Sequence, residues 1–389
     1  MINLPDYKDG SIVNLMSSIE GALGGNPLYA PLKTLKPKEI KSFKNVVLIV
    51  IDGLGHEYLK KHGEGTVFQK YFRSSITSVF PSTTATGITT FMTGVAPQQH
   101  AVTGWFVLLK EMGTVSTILP FTPRHKGKSF GSVINPKIIF NVKPFVKKIN
   151  ANTFSLHPHS ISDSDYTLAH MDKAKRISYK GVDGFFNSIM KVIRQRKKSK
   201  KNKFIYAYWP DFDTIEHHFG PKSSKVKKHF TMLNKKLTSF IKKIDGTNTL
   251  LIITADHGQI DIPPRSRIEL KKHPKLEETL TLPLCGEPRA AYCYVHPSKA
   301  KQFEHYTRTR LRKYCWVFKS EDLIRKNWFG LYKPNQKLFE RVGDYVLVMK
   351  KNYALKDFLM SENKRFLLGN HGGVSKEEMF VPLIVIKKD

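Results

Sequence analysis

The chain has 389 residues, 40% of them hydrophobic, which is ample for a large buried core. Its 64 Lys and Arg against 32 Asp and Glu give a formal charge of +32, so a positive field that draws anions is implied. No apolar run approaches the roughly 20 residues that span a bilayer, and Cys285, Cys293 and Cys315 lack CxxC spacing, which excludes a zinc knuckle or a redox motif.

The start, MINLPDYKDG, carries an early acidic residue and no apolar stretch of a secretory signal. With the small, odd cysteine count, this gives a cytoplasmic protein as the expectation. Residues 1 to about 40 read as an N-terminal arm with one helix from Ser11 to Ala22, ended by Gly-Gly-Asn-Pro at 24–27. Val46 to Ile51 (VVLIVI) is unbroken, mostly β-branched apolar sequence, as in a strand buried on both faces. Asp52 follows at its C-terminal end, where ligands gather in open α/β sheets. In SVFPSTTATGITTFMTG the Phe-Pro makes a turn, and Thr84 to Met92 reads as a helix whose positive end meets hydroxyls and any bound phosphate.

Residues 105 to about 200 mix short strands, turns and a helix near Phe185 to Arg194, and are expected to form a cap-like insertion. Phe204 to Trp209 is a second buried strand, followed by Asp211 and Asp213, and Lys222 to Lys243 has helical spacing. Thr249 to Thr254 is a third strand, followed by Asp256 and His257. Residues 285 to about 350 alternate strand-like runs (AAYCYV, DYVLVM) with a polar helix and form an excursion from the main sheet. Three strands delivering acidic residues at the same end indicate a mainly parallel sheet in one catalytic domain over 41–389.

The candidate ligands are Asp52, Asp213, His217, Asp256, His257 and His371, each at a strand end or in a Gly-marked loop. Asp213 and His217 are spaced i, i+4 and share a helix face; His218 falls off that face. Mixed carboxylate and imidazole donors favour zinc or manganese over magnesium or calcium. Six donors exceed one tetrahedral ion and fit two divalent ions, which about 4 Å apart clamp both oxygens of an in-line displacement. Each piece alone has a plainer structural reading: an Asp-Gly after a strand is usually a turn, and a Thr-rich helix start is usually a cap. His56 and His100 are read as structural.

Together the pieces resemble the type I phosphodiesterases and nucleotide pyrophosphatases of the alkaline phosphatase superfamily. The resemblance rests on VVLIVIDGLG, FPSTTATGITTFMTGVAPQQHAVTG, DTIEHHFGP, TADHG and GNHGG, in family order over 46 to 373. CGEPRAAYCYVHP and RVGDYVLVMK are similar to stretches of prokaryotic members. The resemblance implies an alkaline-phosphatase-like three-layer α/β/α sandwich. It implies that Asp213, His217 and His371 hold one zinc, that Asp52, Asp256 and His257 hold the other, and that Thr84 is the nucleophile and bridges to the second ion. Thr83 is the alternative one residue away.

The family usually carries an Asn three residues after the nucleophile, where this chain has Gly87, so nucleotide preference is left open. The helix also lacks the Arg that monoester-cleaving members use, which tilts expectation to diesters. Cys285-Gly-Glu-Pro-Arg289 has the wrong spacing for a sulfatase. The expected activity is hydrolysis of phosphodiester or phosphoanhydride bonds through a phosphothreonine, on an anionic phosphate ester, with nucleotides as one candidate. The alternatives are a phosphomonoesterase or phosphonate hydrolase on the same metals, and a polyanion-binding protein with a relic site. For the last, Lys147-Lys148 and Lys197 to Lys203 are the charge clusters that would meet nucleic acid, unless they are simply solvated surface.

Overall fold

The computed structural model describes residues 1–195, 201–360, 362 and 364–389, so most of the charge cluster at Lys197 to Lys203 lies outside the described residues. The first apolar run becomes β1 (Asn45–Ile51), buried throughout. With it go β2 (Phe72–Thr77), β3 (Asn152–Pro158), β4 (Lys175–Tyr179), β5 (Lys203–Trp209), β6 (Thr249–Thr254) and β7 (Phe380–Lys388). Their order is β2-β7-β6-β1-β5-β3-β4. β7 runs antiparallel to both its neighbours, and the other pairings are parallel.

Helices cover the sheet in two groups. α1 (Ile12–Ala22) packs on α2 (Thr84–Thr93), while α3 (Gly181–Arg194) and α4 (Asp211–Phe219) pack on α5 (Ser224–Lys243). α5 shows why: Val226, Phe230, Leu233, Leu237, Phe240 and Ile241 recur at helical spacing and are buried, with lysines on the other face. One continuous apolar cluster joins the sheet to both helical layers, giving the α/β/α sandwich. Among the described residues no helix is long and apolar enough to cross a membrane.

Residues 1–40 are not an arm. All of α1 except Gly21 is buried, and Ser11 bridges Thr77 of β2. Nor is 105–200 one insertion. Phe106–Leu109, Thr114–Thr117 and Thr122–Pro123 join Cys285–Glu287, Ala290–Cys293, Cys315–Lys319 and Tyr345–Met349 in a second, antiparallel sheet. Its period-two pattern feeds two cores: Ala290, Tyr292, Val346 and Val348 point to one, and Ala291, Cys293, Leu347 and Met349 to the other. Residues 152–194 instead supply β3, β4 and α3 to the main sheet. Ser155 and His157 interrupt the apolar pattern of β3, which hides a buried strand in the sequence.

Register places the chemistry. Ile51 pairs with Trp209 and Val50 with Thr254, so β1, β5 and β6 end level. Asp52, the Asp211–Asp213 turn and Asp256 therefore leave the sheet along one edge.

Candidate functional site

At that edge the six expected donors gather into two groups, Asp213 with His217 and His371, and Asp52 with Asp256 and His257. Within each group the donor atoms lie within 4.8 Å of one another. In the first, the i, i+4 spacing on α4 brings His217 Nε2 to 3.2 Å from Asp213 Oδ2. His371 Nε2 sits 3.2 Å from His217 Nε2 and 4.0 Å from Asp213 Oδ1. His217 Nδ1 lies 2.8 Å from the Gly369 carbonyl, so Nδ1 is the donor and the Nε2 lone pair faces the group. A cation there satisfies both imidazoles and the carboxylate together.

The second group is sealed from solvent: Asp52 is 2% exposed and Asp256 and His257 are 0%. His257 Nε2 is 3.3 Å from Asp52 Oδ1 and 3.5 Å from Asp256 Oδ2, and its Nδ1 lies 3.1 Å from the Gly258 carbonyl. Asp256 Oδ1 accepts the backbone N–H groups of Gly53 (3.2 Å) and His257 (3.1 Å), while Oδ2 is buried with no hydrogen-bond partner among the described residues. Such an orphaned carboxylate oxygen fits a cation ligand. Burial, then the charges of Asp256 and Asp213, push the Asp52 carboxyl well up, and burial also raises Asp256. Burial disfavours the imidazolium of His257, but Asp256 and Asp52 overcome this and hold it at about 10. Carboxylates crowded this way take up protons unless a metal charge replaces them.

Thr84 opens α2, with Oγ1 3.0 Å from His257 Nε2 and 3.5 Å from Asp52 Oδ1. Thr83 is the N-cap, and its hydroxyl turns elsewhere, donating to Glu287 Oε1 at 2.6 Å. The loop ahead, with a cis Phe80-Pro81 bond, is tied to the His371 loop: Ser82 Oγ donates to the Gly373 carbonyl, and Gly372 N–H to the Ser82 carbonyl, each at 2.8 Å. His218 and Asp211 are exposed and outside both groups. His100 is buried 3.2 Å from Thr90 Oγ1, and His56 stacks on Phe72; neither joins the donors.

Gly87 bears differently on substrate than its sequence position suggests. A Cβ there would lie 2.8 Å from Asp256 Cβ and 3.2 Å from the Asp256 carbonyl oxygen. Position 87 is where α2 touches the Asp256 loop, so it offers no place for a substrate-binding amide, and its glycine says nothing of nucleotide preference.

Several side chains escaped the sequence reading. Tyr208 OH donates a short bond to Asp52 Oδ2, and Gln259 Nε2 one to Asp213 Oδ1. Glu287 accepts from Thr83 and from the Trp105 N–H (2.7 Å), and burial pushes its carboxyl up to about 7. Glu287 lies in the motif CGEPR, and Tyr208 sits two residues before Pro210, the N-cap of α4, but neither position signals a contact with the donors or with Thr83. A cavity of about 390 Å³ opens beside the first group, lined by Thr84, His217, His371, Trp105, Phe106 and Glu287 among others.

The profile of the family described as type I phosphodiesterase / nucleotide pyrophosphatase matches residues 46–373. Human ectonucleotide pyrophosphatase/phosphodiesterase family member 5 is 30% identical over 193 residues, 48% of this chain, and the match spans only 37% of that relative's length. Among solved structures, the murine ectonucleotide pyrophosphatase/phosphodiesterase 5 superposes with a TM-score of 0.65 at 19% identity, over 87% of each chain. An inactive variant of it, in complex with AMP, matches equally well. Phosphonoacetate hydrolase of Sinorhizobium meliloti, in complex with phosphonoformate, superposes with a TM-score of 0.61 at 17% identity, over 87% of this chain and 89% of that one. At these identities the structural likeness establishes a shared fold.

Proposed function

The chain belongs to the type I phosphodiesterase/nucleotide pyrophosphatase family of metal-dependent hydrolases, and from that premise we propose that it cleaves phosphodiester or phosphoanhydride bonds with two divalent ions through a phosphothreonine at Thr84. The main support is that the Thr84 hydroxyl stands 3.0 Å from His257 and 3.5 Å from Asp52, beside two groups of donors of which the second is fully buried.

Asp213, His217 and His371 are the residues for one ion, and Asp52, Asp256 and His257, with Thr84, for the other. Zinc suits the mixed donors best, with manganese next. When bound, the ions supply positive charge that acidifies the hydroxyl and screens the phosphoryl oxygens. Thr84 Oγ1 gives its proton to solvent and attacks phosphorus; its new O–P bond forms as the bond to the leaving alcohol or phosphate breaks, and the leaving oxygen takes its proton from solvent. The N-terminal N–H groups of α2 face the charge that develops. Water then attacks the phosphothreonine and frees Thr84. Three buried, unpaired thiols suit a reducing compartment, so the proposal includes a cytoplasmic location.

The test is a metal-stripped preparation reconstituted with zinc or manganese and offered bis-p-nitrophenyl phosphate, p-nitrophenyl phosphate and p-nitrophenyl thymidine monophosphate. About two ions per chain should bind, turnover should need them, and diesters should exceed the monoester in kcat/KM. Full turnover by stripped protein would overturn the two-metal reading, and a monoester preference would make the enzyme a phosphatase.

A further inference from the structure

The CGEPR stretch of the second sheet takes no part in the reaction above, yet its tip reaches the catalytic edge. Strands Cys285–Glu287 and Ala290–Cys293 pair with Glu287 opposite Ala290, so Pro288 and Arg289 form a two-residue hairpin turn. Arg289 is only 1% exposed although it sits in a turn, and it faces Glu378, which is 0% exposed. The pair is bidentate: Arg289 Nε meets Glu378 Oε1 at 2.6 Å, and Nη2 meets Oε2 at 2.7 Å. The guanidinium also donates to the Tyr353 carbonyl at 2.6 Å and the Lys351 carbonyl at 2.9 Å, which fixes it to the second sheet's own loops.

Glu378 passes this anchorage to the loop that carries His371. Its Oε1 accepts the Gly373 N–H at 2.8 Å, and its Oε2 accepts the Ser375 N–H at 3.3 Å. Gly373 stands so close that a Cβ there would lie 2.8 Å from Glu378 Oε2. Asp213 and His217 ride together on α4, whereas His371 comes from this loop, so the loop sets how His371 meets the other two donors. Ahead of His371 the loop is tied to α4, where the Leu368 N–H donates to the His217 carbonyl at 2.9 Å. Beyond it, the ties are Ser82 and the Arg289–Glu378 pair. The second group is tied differently: the Gly258 N–H donates to the Glu378 backbone carbonyl at 2.9 Å, a bond that no change of either side chain removes. A buried ion pair adds little stability over apolar residues of the same shape, because desolvation offsets the attraction. What a planar fork on a carboxylate supplies is a fixed geometry. Resting on the two-ion reading above, we propose that Arg289, acting through Glu378, is a positioning residue that holds His371 in register with Asp213 and His217 for the first ion.

The test is zinc affinity, site by site, in competition with a chelator. The wild type should release zinc in two steps, and His217→Ala identifies the step that belongs to the first group. Arg289→Met and Glu378→Gln should each weaken that step about 10–100-fold and leave the other unchanged. Arg289→Lys keeps the charge without the fork and should recover part of the loss. The double variant, Arg289→Met with Glu378→Gln, buries no unpaired charge, so it should fold even where a single change does not, and it should show the same selective loss. Excess zinc should return most of kcat in these variants, since Thr84 and all six donors are intact. Both steps weakened alike, or neither weakened, overturns the proposal and leaves the pair as a link between the two sheets. A wild type with fewer than two zinc steps overturns the two-ion reading instead.

Discussion

Adjacent threonines at the start of α2 meet different surroundings, and this makes their roles separable by single substitutions. Thr84 Oγ1 faces His257 and Asp52, whereas Thr83 Oγ1 is held by Glu287. Thr84→Ala should keep nearly all its metal, because six other donors remain, while kcat falls by several orders of magnitude. Thr84→Ser should keep measurable turnover. Thr83→Ala loses the bond to Glu287, about 1 kcal/mol of stability, with a milder loss of rate. Metal analysis beside kinetics checks all three, and a dead Thr83→Ala with an active Thr84→Ala would transfer the nucleophile to Thr83. Behind the donors, Tyr208 orients Asp52. Removing its hydroxyl in Tyr208→Phe should weaken one of the two ions about 10–100-fold, read by competition with a chelator; equal affinity for both ions would show that Asp52 is held without it. That these six side chains gather in two groups was legible because each follows a strand or sits in a Gly loop. Tyr208, Gln259 and Glu287 were not, because nothing in a linear pattern says which side chain lies behind a ligand.

At the scale of elements, what could be read depended on burial. β1, β5 and β6 lie in the middle of a sheet covered on both faces, so they are apolar without interruption. β3 is as buried but carries Ser155 and His157, and the second sheet pairs short strands from segments more than 150 residues apart, such as Phe106 with Gly286. Pairing over such separations leaves no local trace. α1 was legible as a helix, but its burial was not, since Asn14, Ser17, Ser18 and Glu20 are polar residues inside the core. The contact between α2 and the Asp256 loop gives a prediction. Gly87→Ala puts a methyl 2.8 Å from Asp256 Cβ, and the opposing atoms belong to a loop that carries two donors. The variant should lose about 1–3 kcal/mol in denaturant unfolding and bind metal more weakly at the second group. A variant as stable and as well metallated as the wild type would mean that the loop yields freely.

Over the whole molecule the net charge of +32 is unmatched by any pairing that would quench it. Some lysines form surface ion pairs, such as Lys137 and Lys147 sharing Asp172, or Lys376 with Glu57. A cleft of about 1070 Å³, separate from the catalytic cavity, gathers Lys60, Lys61, Lys222, Lys351 and Lys376 on its walls. Charge of one sign spread this widely acts at a distance, raising the concentration of anions near the surface before any contact forms. The range of that action is set by salt: the Debye length shrinks from about 30 Å at 0.01 M to about 8 Å at physiological ionic strength. If the field steers substrate to the metal edge of the sheet, kcat/KM should fall over that interval, more steeply for ADP than for the singly charged bis-p-nitrophenyl phosphate, with kcat unchanged. Metal content measured at both salts separates screening from loss of ions. Equal slopes for the two substrates would confine the charge to the surface, leaving the metal ions as the groups that attract the substrate.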